Sequence, residues 1–147
     1  MEIYTDKEGG VIFRKYSLLG GLSDFAVQFC ETLNKNTGHI AVICDRDTCL
    51  AVAGTARREI ADKRISAELE SIMSGRQFYH ASSDSDPLPV CDDSDKYFIS
   101  AAAPILSEGD VLGCVLFAAL RGDAPVGDVE CKLAQTVAAF LGRQMES

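Results

Sequence analysis

Apolar and polar positions along the chain fall into blocks whose spacing separates helix from strand. Leu22, Phe25, Ala26, Phe29 and Leu33 recur every three or four residues, which places them on one helical face. Ser23 is suited to cap that helix, Asp24 suits its first turn, and Gly38 ends the pattern. Residues 40–44 and 48–53 are instead continuous apolar runs, too short for helices, joined by Asp45-Arg46-Asp47. They predict a hairpin near the sheet centre, buried on both faces. Residues 57–62 and 66–74 predict a short helix and a longer one, the latter turning Leu69, Ile72 and Met73 inward. Residues 77–81 predict a strand, and 82–95, with two prolines and five aspartates, a solvated loop. Residues 97–106 and 111–120 predict a long second hairpin around Ser107-Glu108-Gly109-Asp110. A closing helix spans 127–145, with Val129, Leu133, Val137, Phe140 and Leu141 on one stripe.

Ahead of these, Ile3-Tyr4-Thr5 and Val11-Ile12-Phe13 are β-rich and flank the glycine-containing Asp6-Lys7-Glu8-Gly9-Gly10, the pattern of a hairpin. Two isolated strands are marginal in water, so this hairpin needs a partner surface. Residues 17–21 read as a linker. The order of elements, mostly antiparallel with helices gathered on one face, makes the fold class α+β, a central antiparallel β-sheet flanked by helices.

The 147 residues are room for one ordinary domain. Hydrophobic residues at 47% and charged residues at 24% exclude a disordered chain. A net charge of −8 repels phosphate backbones and anionic lipid, so this chain by itself is not expected to hold DNA or a membrane surface. No apolar run approaches a membrane span, and Met1-Glu2-Ile3-Tyr4-Thr5-Asp6 lacks the pattern of a secretion signal. A cytoplasmic location follows as the expectation. The six cysteines include no Cys-x-x-Cys pair and read as reduced thiols, mostly packed as small hydrophobes.

Candidate chemistry adds few sites. Cys44 and Cys49 face each other across the first hairpin if Arg46 and Asp47 form its tip. Opposed strand residues have Cα atoms about 4.5–5.5 Å apart, within or close to disulfide reach, which makes the two thiols redox candidates. Packing is the bland reading of the same pair. Asp84, Asp86, Asp92, Asp93 and Asp95 lack the glycine, the alternation and the distal Glu of a calcium loop, and Pro87 and Pro89 interrupt them. His39 and His80 have no third ligand at recognisable spacing, so neither metal nor cofactor is expected.

Pro104-Ile105, Gly109 and Val111-Leu112-Gly113-Cys114-Val115-Leu116 resemble the end of a GAF sensor domain, where a strand turns at glycine and re-enters as an apolar strand. Gly38-His39-Ile40-Ala41-Val42-Ile43-Cys44-Asp45-Arg46-Asp47-Thr48, Ala51-Val52-Ala53-Gly54 and the ending Ala139-Phe140-Leu141-Gly142-Arg143-Gln144-Met145-Glu146 resemble the family of stage V sporulation protein T-like transcriptional regulators. Residues 1–16 resemble the last hairpin of that family's AbrB-type DNA-binding domain, and residues 22–147 its GAF-like sensor domain. The resemblance implies a regulatory, small-molecule-sensing and oligomerising part of a sporulation transcription factor, at least a dimer, contacting DNA only through the N-terminal domain. It also implies a pocket between sheet and helices, with Arg46, Gly54, Arg64, Ile65, Phe78, Ser100 and Ala102 as candidates. The small residues in that region have a second reading, close packing of helix on sheet. Phe25, Phe29, Leu33, Leu133, Val137, Phe140 and Leu141 are candidates for the oligomer interface, or for covering the sheet's second face. Two alternatives remain beside the sensor: a ligand-free oligomerisation module, and a thiol enzyme like the free methionine sulfoxide reductases. The enzyme resemblance is weak, because Cys91 lies among acidic residues with only Lys96 as a close cation, so an enzyme is not expected.

Overall fold

The computed structural model describes residues 13–82, 84, 86–92 and 96–145. Nine elements follow in chain order: α1 (Phe13–Thr37), β1 (Ile40–Cys44), β2 (Cys49–Ala53), α2 (Arg57–Ile60), α3 (Ala67–Gly75), β3 (Tyr79–His80), β4 (Tyr97–Ser107), β5 (Asp110–Leu120) and α4 (Asp128–Gln144). The strands form one antiparallel sheet in the order β2-β1-β5-β4-β3. The fold is α+β, as the patterning predicts.

Strand alternation sorts the core into two layers. Ala41 and Ile43 of β1 and Val115 and Phe117 of β5 point to the face covered by α1 and α4. Val42, Cys44, Cys114, Leu116 and Ala118 point to the other, where Ile60 of α2 and Leu69 and Met73 of α3 close over them. Helices therefore lie on both faces rather than gathering on one, because α2 and α3 carry apolar residues of their own to bury.

β4 breaks its alternation at Ser100. Ile99 pairs with Ala118 and Ala101 with Phe117, leaving Ser100 as the extra residue of a β-bulge. Two glycines permit close backbone approach, Gly113 between the paired strands β5 and β1 and Gly142 between α4 and β4. A Cβ on Gly113 would overlap the Cys44 carbonyl oxygen, and one on Gly142 the Leu106 carbonyl oxygen.

Several boundaries differ from the patterning. Residues 17–21 lie inside α1, and Ser23 is an interior residue of that helix, not its cap. Gly20 and Gly21 each disfavour helix by about 1 kcal/mol relative to alanine, but no proline stands between 13 and 37 to break it. Phe13 is helical too, and the remainder of the expected N-terminal hairpin lies outside the described residues. β2 is an edge strand, not a central one; β5 occupies the middle, between β1 and β4. Segment 82–95 is not wholly solvated, since Val90 and Cys91 are buried and bridges join Ile65 to Cys91 and Pro89 to Phe98. In α4 the inward residues are Cys131, Ala134, Val137, Ala138, Leu141 and Gly142. Val129 is 68% exposed and Phe140 44% exposed, so the expected stripe is rotated and small residues let the helix sit close.

Candidate functional site

A cleft of about 410 Å³ opens where the first residues of β4 meet the last residues of β5. Ala81, Ser82 and Pro87 form one wall, Phe98, Ile99 and Ser100 the floor, and residues 119–125 the other wall. The volume lies within the 300–1,000 Å³ typical of small-molecule sites.

The bulge places Ser100 here. Its side chain is buried, and its Oγ accepts the amide of Val126 at 2.8 Å. Its own carbonyl accepts Ala81 N at 2.9 Å, tying the β3 end to the floor. His80 Nε2 meets the Val126 carbonyl at 2.7 Å, so both backbone groups of Val126 are held, one from β4 and one from β3. The wall 120–123 is a tight turn: Asp123 N donates to Leu120 O at 3.1 Å and Leu120 N donates to Asp123 Oδ2 at 3.2 Å. Gly122, at φ 90°, supplies the left-handed residue in it. Arg121 lies over the Phe98 ring, 4.7 Å from its centroid.

This wall runs directly into α4. Gly127, the cap residue of α4, follows Val126, and its N donates to Glu130 Oε1 at 3.0 Å. The cleft thus has an apolar floor, a buried hydroxyl, a stacked guanidinium at its rim and a rigid link to α4.

Of the residues singled out in the sequence, Ser100 alone lines this cleft. Ile65 and Ala102 are buried under α3, on the face of the second core cluster, and Phe78 packs against the first. Gly54 follows β2 at φ 102°, with Asn34 beside it. Arg46 is exposed beyond β1, and Arg64 pairs with Asp92 at 3.5 Å. Ser100 and Ala102 would share a face in a regular strand, but the bulge at Ser100 separates them, and the other candidates come from segments outside β4. Arg121 and the 119–125 wall were missed, since a turn-forming run carries no sign of what it encloses.

Four of the cysteines, Cys30, Cys44, Cys49 and Cys131, are favoured as thiols. Cys44 and Cys49 do pair in register, and each has a second thiol neighbour: Cys114 for Cys44, and Cys91 for Cys49 at 4.0 Å between sulfurs. All six are buried, and none is in a disulfide. Hydrogen bonding to Cys114, then burial, pushes the Cys44 thiol well up; the bond to Cys91, then burial, does the same for Cys49. Burial pushes Cys30 up to about 12 and raises Cys131. These shifts oppose the thiolate that thiol catalysis needs. Among the described residues no cluster of three or more His, Cys, Asp or Glu is placed to hold a metal, and no helix is long and apolar enough to cross a membrane.

The outer candidates divide as well. Leu33, Val137 and Leu141 are buried against the sheet. Phe25, Phe29 and Leu133 are half-buried, and Phe140 is the most exposed of the set. Phe29 stacks at 5.6 Å on Phe140 and at 6.4 Å on Phe25, a run of rings across α1 and α4.

Residues 21–146 match the family described as stage V sporulation protein T C-terminal, transcription factor. Stage V sporulation protein T of Bacillus subtilis (strain 168) is 37% identical over 147 residues, covering 99% of this chain and 81% of that protein. Among solved structures, the GAF domain of an Acinetobacter phosphoenolpyruvate-protein phosphotransferase has a TM-score of 0.62 at 8% identity, covering 91% of each chain. The type II free methionine-R-sulfoxide reductase of Thermoplasma acidophilum has a TM-score of 0.59 at 12% identity, covering 84% of this chain and 94% of that one. The cofactor-binding GAF domain of the nutrient sensor CodY from Clostridium difficile has a TM-score of 0.56 at 11% identity, covering 93% and 99%. At these identities the structural likeness establishes the GAF fold.

Proposed function

We propose, given that this chain belongs to the stage V sporulation protein T C-terminal family of transcription factors, that it senses a small-molecule effector and passes its occupancy to the subunit arrangement of the regulator. The observation that carries this reading is the cleft at the β4–β5 ends, whose wall continues through Val126 into α4. An occupant that fits one position of the 120–126 wall better than another shifts α4, and with it the surface α4 shares with α1. α1 is the first described element of the chain, so a movement there reaches whatever precedes it. That a structural neighbour is a cofactor-binding GAF domain supports the same use of the fold. DNA contact belongs to an N-terminal AbrB-type domain, because a chain of net charge −8 is poorly suited to hold phosphates. The protein acts in the cytoplasm as at least a dimer, through the outer face of α1 and α4.

A thermal-shift screen of small metabolites tests the sensing half. A compound bound only by the folded state at 100 times its Kd stabilises by about 2.7 kcal/mol and raises Tm by several degrees. A hit whose shift disappears when Ala119 at the cleft is replaced by Trp supports the reading. A screen with no hits leaves the fold as a ligand-free oligomerisation module and overturns it.

A further inference from the structure

The cleft contains polar groups of two kinds: those whose presence the fold explains, and those it does not. Asp123 is of the first kind, since its carboxylate closes the turn by accepting Leu120 N. Ser100 is only half explained. Its Oγ accepts Val126 N, but among the described residues its own O–H donates to nothing, although the residue is only 3% exposed. A buried hydroxyl donor without an acceptor is costly, and in native structures such groups usually have a partner. Arg121 is not explained by the turn at all. It has no ion pair among the described residues, even with Asp123 two positions away, and it is held over the Phe98 ring. A guanidinium stacked this way keeps its N–H edge free for an oxyanion.

We propose that the cleft binds a small organic carboxylate, its oxyanion taken by the Ser100 hydroxyl and the Arg121 guanidinium and its apolar body against Phe98, Pro87 and Pro125. This rests on the reading of the cleft as the effector site and names the chemical class of the effector. An anion is what both unexplained donors lack, and a charge-assisted hydrogen bond to a carboxylate is about twice as strong as a neutral one. The apolar floor selects against fully hydrated inorganic anions, which have no body to bury there.

The test is a titration of the ¹⁵N-labelled protein with 3-phenylpropionate, its neutral amide 3-phenylpropanamide, and inorganic phosphate, at constant pH and ionic strength, followed by amide shifts. The proposal expects saturable shifts at Ser100, Arg121, Gly122 and Val126 with the carboxylate. It expects at least tenfold weaker binding of the amide and of phosphate. Arg121→Gln, an exposed site whose loss leaves the fold intact, is expected to weaken the carboxylate at least tenfold and bring it level with the amide. Ser100→Ala also removes the acceptor of Val126 N, so it is compared with Ser100→Thr, which keeps the hydroxyl and is expected to retain binding. Equal binding of amide and carboxylate overturns the anion assignment while leaving the cleft a sensor of neutral ligands. Carboxylate shifts that saturate elsewhere, or none at the cleft, overturn the site assignment; the metabolite screen decides separately whether the cleft senses anything.

Discussion

Ser66 has two roles at the start of α3, and both hold two segments together. Its Oγ accepts Leu69 N at 3.0 Å as the helix cap and donates to Pro89 O at 2.6 Å, fastening the 86–92 segment to the helix end. The side chain is 1% exposed, so water cannot replace either bond. Ser66→Ala is therefore expected to cost roughly 1–3 kcal/mol, more than an exposed cap, read as a lower urea midpoint at unchanged slope. The thiols make a second prediction at this scale. Cys30 moves from its ordinary 9.0 to about 12 through burial. A group raised in the folded state contributes stability fully present below its unfolded pKa and lost as pH climbs towards its folded one. Stability should accordingly fall between about pH 9 and 12, by about 1.4 kcal/mol per pH unit for each such thiol. Urea midpoints at pH 8, 9.5 and 10.5 would reveal it, with a shallower decline in Cys30→Ala; a flat series contradicts the assignment.

Elements explain which parts of the fold could be read from patterning. The hairpin of β4 and β5 and helix α4 were legible because their apolar periods are long and bounded by turn residues. The bulge at Ser100 was not, since a run of Ser100-Ala101-Ala102-Ala103 shows no period to interrupt. Patterning makes α1 too short because two glycines look like a linker, although nothing in the segment forbids helix. The rotation of α4 has a related origin: hydrophobicity points to Val129 and Phe140, while close approach selects Ala134, Ala138 and Gly142. Gly142→Ala tests that directly. The added methyl would meet the Leu106 carbonyl, which belongs to backbone and cannot swing aside. A loss of about 1–3 kcal/mol is expected. It should be accompanied by increased amide exchange in both α4 and the end of β4; a neutral variant would mean α4 can slide at little cost.

At the scale of the whole molecule, the sheet order decides what the sequence alone could not reveal. The cleft is assembled from Ala81, Ser82 and Pro87 with residues 98–100 and 119–125, brought together by strand pairings that no local pattern encodes. Ser100 is a pocket residue on the sequence reading too, but the companions expected there lie under α3, against the other core cluster or in exposed loops. Exposed Phe140, stacked on Phe29, is the expected centre of a subunit contact. Phe140→Asp should shift the protein to a 15.8 kDa monomer in sedimentation velocity while leaving its circular dichroism unchanged. A wild-type protein already monomeric at micromolar concentration would refute the contact. The same sheet order has a consequence for how the chain reaches its folded state. β1 pairs with β2 immediately, but its other edge waits for β5, which lies beyond α2, α3, β3 and β4 in the chain. During synthesis the β1–β2 hairpin emerges with that edge bare and cannot complete the sheet until β5 has been made. Chains stalled before Asp110 would carry an unpaired apolar strand, and are the form in which protease sensitivity and chaperone capture should be greatest.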